Sequence, residues 1–244
     1  MHSQKKVAIV FYGLTRNLVN TIDSIKRNLF DVLNENNITF DIFIHTYKIY
    51  GQYNSMWRNE KATLYKNEDV TMLLSPKYSI SDIQCDIENS INFNDYYSNL
   101  GNWTGMSSEL TKNLIKTMVI ALYSKKQITN ILKTCIESYD YVIFIRPELK
   151  LISRVDVQIF NKLSDSNIFI PEKDWFYGCN DRFCIAKSSV ALYYGSLYEY
   201  LLEYSKKNSI ISERFLLHML KYKNIEINTF NLEYETTSIT YSEI

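Results

Sequence analysis

Apolar residues along this chain fall into two patterns, unbroken runs and stretches in which they recur every three or four positions. The first run, KKVAIVFYG at 5–13, is β-branched and closed by glycine, which predicts a fully buried strand. Leu18, Ile22, Ile25, Leu29 and Val32 follow at helical spacing, with Asp23, Lys26, Arg27 and Asp31 on the opposite face. FDIFIH at 40–45 predicts a second buried strand. Strand, helix and strand in this order form a βαβ unit, whose parallel strands need helices on both faces of the sheet.

Residues 46–108 are less regular, rich in Asn, Ser and Tyr, and predict an elaborated connection over one sheet edge with a brief strand at 78–83. From 109 to 135, Leu114, Met118, Ala121, Leu122, Ile128, Ile131 and Leu132 predict one long helix or two abutting ones. YVIFI at 141–145 is apolar at every position, as a central parallel strand should be, and Pro147 closes it. Short strands are expected at 167–170, 182–186 and 225–230, and helices at 188–206 and 212–222. No repeat or low-complexity linker divides the chain, so the expected architecture is a single α/β domain over 1–244, a mostly parallel central sheet flanked by helices.

Composition narrows the function. Lys plus Arg and Asp plus Glu both number 27, with no sustained basic block, which argues against nucleic acid as a partner. The apolar stretch at 7–14 is too short for a membrane span or a usual signal-peptide core, so the expected setting is cytoplasmic, the host cytoplasm if the source is viral. The 4 cysteines are scattered without nearby histidine, a poor zinc signature. The 6 glycines satisfy neither a dinucleotide fingerprint nor a phosphate-binding loop, and the nucleophile-elbow and zincin motifs are missing as well. A nucleotide would therefore be held by side chains, a helix terminus or a metal. The 20 tyrosines could line a carbohydrate or nucleotide cleft, or fill a core.

In an open parallel sheet, ligands collect beyond the carboxyl ends of the strands. The first strand is followed by Tyr12, Gly13, Leu14, Thr15, Arg16 and Asn17, where Arg16 and a helix N-terminus could hold an anion. The second ends at His45, equally readable as a hydrogen-bonded core histidine. YVIFI runs into Arg146, Pro147 and Glu148; the cation and carboxylate could grip a diphosphate and a hard cation, or simply pair with each other. Further candidates are Asn180 and Asp181 in GCNDRF, otherwise a turn; Glu213, otherwise a helix-terminal acid; and Lys126 beside Lys125, otherwise a solvated pair.

The segments KVAIVFYGLTRN, FDIFIHTY, LYSKKQITNIL, YDYVIFIRPEL, GCNDRFCIAKSSVALYYGSLYEYL and SERFLLHMLKYKNIEI, in this order and spacing, resemble nucleotide-sugar glycosyltransferases of the GT-A fold, of the type found in large DNA viruses and bacterial surface-polysaccharide loci. The resemblance implies a GT-A-like single domain that transfers a sugar from a nucleoside diphosphate sugar, with UDP-sugars expected first, to a glycan or other hydroxyl acceptor. By matching position it implies nucleotide contacts at Tyr12, Gly13 and Arg16, a diphosphate contact at Arg146 with a divalent cation, Mn or Mg, on Glu148, and a later acidic motif at Asn180 and Asp181 facing the acceptor and sugar; His45 and Lys126 join the expected binding residues from their places at a strand end and on the long helix. Arg146-Pro147-Glu148 stands where the family carries D-x-D, and the first carboxylate has become arginine. Asp181 is the expected acceptor-side base, with Glu213 behind it, and retaining chemistry stays open. A GT-A-like protein that binds nucleotide or carbohydrate without catalysis is the alternative; a nucleotidyltransferase would want a more glycine-rich, basic first loop.

Overall fold

A computed structural model describes residues 4–15, 17–50, 52–55, 60–63, 69–101 and 106–237. The strands in chain order are β1 (Lys6–Tyr12), β2 (Thr39–Lys48), β3 (Gln52–Ser55), β4 (Glu60–Thr63), β5 (Tyr78–Ile83), β6 (Tyr141–Ile145), β7 (Leu149–Leu151), β8 (Asn167–Pro171), β9 (Phe183–Ala186), β10 (Glu226–Phe230) and β11 (Tyr234–Thr236). The α-helices are α1 (Leu18–Ile25), α2 (Asp31–Glu35), α3 (Gln84–Ser90), α4 (Ser108–Lys133), α5 (Ser188–Gly195), α6 (Tyr198–Ser205) and α7 (Ser212–Tyr222).

Seven strands form the main sheet in the order β10-β8-β9-β6-β1-β2-β5. All neighbouring pairs are parallel except those made by β9, which runs against both β6 and β8. The expected mostly parallel sheet is thus a mixed one with a single reversed strand. Along β1, Val7, Ile9 and Phe11 enter one core while Ala8, Val10 and Tyr12 enter the other, so the strand reads as continuously apolar because both faces are covered. One layer holds α1 and α2 with residues 149–163; the other holds α4, α5, α6 and α7.

Several expectations on local structure need correction. The helix after β1 is continuous but widens into a π turn at Lys26–Phe30, and Asn28 within it donates to Leu151 O and accepts from Val155 N–H. The helix expected at 188–206 is two, α5 and α6, parted around Gly195-Ser196, both weak helix formers, where α5 lies against Thr129. The irregular 46–108 region contains a hairpin, β3 with β4, and a short helix, α3, besides the anticipated edge strand β5. A two-stranded sheet of β7 and β11 had no signal in the sequence, each strand being three residues long. The long helix is one piece, opened by Ser107, whose Oγ accepts from Leu110 N–H at 3.2 Å. Among the described residues, no helix is long and apolar enough to cross a membrane.

Candidate functional site

A cleft of about 330 Å³ opens beyond the carboxyl ends of β5, β2, β1 and β6, within the usual range for ligand pockets. Gly13 and Leu14 come from the turn after β1, Tyr47 and Lys48 from the end of β2, Gln84 and Glu88 from α3, and Arg146 and Glu148 from the segment after β6. The amino-terminal half of α4 supplies a wall through Lys116, Thr117 and Ile120, and Tyr50 and Tyr53 add aromatic surface. Parallel strands that end together place these turns side by side, which is why residues 130 positions apart can share one ligand.

Gly13 sits at φ +92°, a conformation that a side chain would strain, and no heavy atom lies within 4 Å of where its Cβ would be. Its backbone therefore faces open space while its N–H is held by Ser124 Oγ at 2.7 Å. Ser124 Oγ also lies 2.7 Å from His45 Nδ1, and His45 Nε2 lies 3.1 Å from Asp82 Oδ2. Burial lowers the His45 pKa against the opposing pull of Asp82, so the ring is neutral near pH 7. In the neutral ring Nε2–H donates to Asp82 and Gly13 N–H donates to Ser124 Oγ, while the Ser124 hydroxyl has two acceptors in reach, His45 Nδ1 and, at 3.2 Å, His45 O. His45 is fully buried and holds the Gly13 turn through Ser124. Ser124→Ala should leave the buried His45 nitrogen and the Gly13 N–H short of a partner and destabilise the fold by about 1–3 kcal/mol, measured by denaturant unfolding.

At the mouth of β6, Arg146 Nη2 lies 2.5 Å from Glu148 Oε1, with side-chain exposures of 22% and 3%. Burial opposes the charged guanidinium, but Glu148 and Asp181 outweigh it and hold Arg146 protonated. The backbone here is pinned: Thr21 donates to Pro147 O at 2.6 Å, and the Thr237 N–H and hydroxyl both reach Glu148 O at 3.1 Å. A hard divalent cation implied by the resemblance does not fit this donor set. Its carboxylate oxygen already carries a guanidinium at hydrogen-bond distance, where an ion's own charge would be repelled. Among the described residues, no group of three His, Cys, Asp or Glu could hold a metal.

Behind Arg146 lies a polar cluster under α7. Tyr12 and Tyr194 both donate to Asp181 O, at 2.6 and 3.2 Å, and Ser212 donates to the Asp181 carboxylate. Tyr12 is buried and braces Asp181. Asn180 is also buried; it donates to Lys173 O at 2.7 Å and to the Tyr234 hydroxyl, and accepts from Arg182 N–H at 2.8 Å. It builds the turn in place of binding ligand. Gly178 has no room for a Cβ against the Glu213 backbone, and Cys179 N–H donates to Glu213 O at 3.0 Å, so this turn clamps the start of α7. The preceding segment carries positive φ at Asp174, Phe176 and Tyr177, and it exposes the last two rings by 56% and 85%.

Burial, and then the nearby charge of Asp181, push the Glu213 carboxyl up to about 7. The folded protein keeps that proton to about pH 7, whereas an unfolded carboxyl releases it near its ordinary value of 4.5. The folded state binds more protons between those values, so stability falls as pH rises through that window. Glu213→Gln should flatten this part of the pH–stability curve and gain on wild type above pH 7; an unchanged curve would show that another group titrates.

Lys126 does not join the site: it pairs with Glu199 at 3.4 Å. Its neighbour Lys125 does, buried with its ammonium 3.6 Å from the Tyr194 ring centroid and 5.5 Å from that of Tyr12. Burial lowers its pKa to about 8, which Asp181 partly opposes. The sequence held a signal for it, since Lys125 interrupts the apolar stripe of Met118, Leu122, Ile128 and Leu132. Ser124, Tyr194 and Ser212 carried no comparable signal. Arg16 lies outside the described residues. Of the expected site residues, the fold gathers Gly13, Arg146 and Glu148 at the cleft, and Asp181 and Glu213 in the adjoining cluster.

No protein-family model matches the chain, and no curated protein matches it in sequence. Among solved structures it is similar to the apo form of mouse xyloside xylosyltransferase 1, at 10% identity, covering 93% of this chain and 85% of that one, with a TM-score of 0.42. The mixed seven-stranded sheet carries helices on both faces, an α/β architecture. A likeness this remote carries no argument about chemistry.

Proposed function

We propose that the protein transfers a sugar from a nucleoside diphosphate sugar, a UDP-sugar first among them, to a hydroxyl of a glycan or other acceptor. The observation that carries this reading is the cleft at the carboxyl ends of four strands, lined by the open backbone of Gly13 together with the Arg146–Glu148 pair. Sugar transfer breaks an anomeric C–O bond and leaves negative charge on the departing diphosphate, which a partly buried guanidinium stabilises where water screens it less. In an inverting reaction the acceptor hydroxyl must also lose its proton. Asp181 is the proposed base, its backbone braced by Tyr12 and Tyr194 and its carboxylate oriented by Ser212. Glu213, which holds its proton up to about pH 7, is the second carboxyl of that pair. Tyr50 and Tyr53 offer rings on which a base could stack.

Incubation with UDP-, GDP- and CMP-sugars and measurement of nucleotide release tests the reading. A transferase should release nucleotide slowly to water without an acceptor, and Arg146→Met should abolish this. A second reading, a binding protein without catalysis, is favoured by arginine standing where the resemblance expects the first carboxylate. Binding without release from any donor would select it.

A further inference from the structure

We propose that the donor diphosphate is gripped without a divalent cation, the Arg146 guanidinium occupying the place at the mouth of β6 where an ion would sit. The inference rests on the donor reading above and specifies how that same site handles charge. Three observations support it. The Arg146 fork and the Glu148 carboxylate are already joined at 2.5 Å, and both line the cleft. The Glu148 backbone is pinned by Thr237 and that of Pro147 by Thr21, so the carboxylate is anchored beside the guanidinium. A second cation, Lys125, stands against the Tyr12 and Tyr194 rings, and the charge of Arg146 acts on it.

Glu148 is then a counter-ion in place of a metal ligand. It keeps the guanidinium buried and oriented when no donor is bound. A guanidinium carries five N–H donors in a planar fork that matches phosphate oxygens two at a time. Among the described residues, Glu148 is the only side chain that hydrogen-bonds or ion-pairs with that fork, so most of its donors are left for a ligand. A metal would bridge the same phosphate oxygens; the fork does so while adding positive charge that needs no ligand shell. The buried ammonium of Lys125 adds to the field without contacting the donor, a positioning role.

Calorimetric titration of UDP into the wild-type protein, once with EDTA and once with manganese, reads this directly, alongside titration of manganese alone followed by the resonance signal of the free ion. The expected result is UDP affinity equal within about twofold in the two buffers, since a metal-dependent site would lose tenfold or more, and no saturable manganese binding without nucleotide. Arg146→Asp, which sets two carboxylates two residues apart, should bind manganese and make any remaining UDP binding depend on it. Arg146→Lys should weaken UDP without creating metal dependence, because it keeps the charge and loses the fork. Wild-type UDP binding that disappears in EDTA, or manganese bound by the wild type and lost in Glu148→Gln, overturns this inference and leaves the donor reading intact. No UDP binding in either buffer overturns both.

Discussion

Arg146→Met is expected to weaken UDP binding by about 10- to 100-fold, the equivalent of one charge-assisted hydrogen-bonded contact. The same change should destabilise the fold, because it removes the guanidinium that faces the Glu148 carboxylate, which is 3% exposed. Removing one partner of a buried pair costs about 3–5 kcal/mol when both are fully enclosed. The partial exposure of Arg146, at 22%, places the expected loss at or below the low end. Adding Glu148→Gln to Arg146→Met removes the carboxylate charge that faced Arg146 and should recover part of the lost stability while UDP affinity stays low. Denaturant unfolding and calorimetry on the two variants separate these effects; a double variant no more stable than Arg146→Met would mean the pair is not the unit described.

Asp181→Asn is expected to lower sugar transfer by on the order of 100-fold or more while UDP affinity stays near wild type, the pattern of a lost general base. Asparagine keeps the shape and can still accept the Ser212 hydroxyl, and the backbone contacts from Tyr12 and Tyr194 are untouched. A folding defect is therefore a poor explanation for lost turnover. Wild-type turnover in this variant would remove Asp181 from the mechanism. Loss of UDP binding with normal chemistry would move it to the donor side.

The centre of the main sheet was legible because β1 and β6 are continuous apolar runs and the helices keep a regular 3–4 spacing; the bounds of α7 coincide with the expected 212–222. What the sequence could not convey was order in space. Nothing in FCIA says that β9 runs against its neighbours, since reversal is set by connections that carry no periodic signal. The three-residue strands β7 and β11 pair across more than eighty positions and are too short to show any period. At the site, the sequence located strand mouths but could not say which side chains turn into the cleft. His45 and Asn180 ended as buried scaffolding because each found partners from distant segments, Ser124 and Asp82 for one, Lys173 and Tyr234 for the other. Lys125 and Lys126 differ by one helical position, about 100° of rotation, and that alone sends one under the site and the other to Glu199.

The central claim is that a nucleoside diphosphate binds where β1, β2 and β6 end, and calorimetric titration of UDP into the purified protein tests it most directly. Saturable binding at one site per chain, with a dissociation constant of roughly 1 μM to 1 mM as for ordinary enzyme substrates, and strong weakening in Arg146→Met, is the predicted result. Absence of binding by UDP, GDP and CMP alike, or UDP binding that Arg146→Met leaves unchanged, would contradict it.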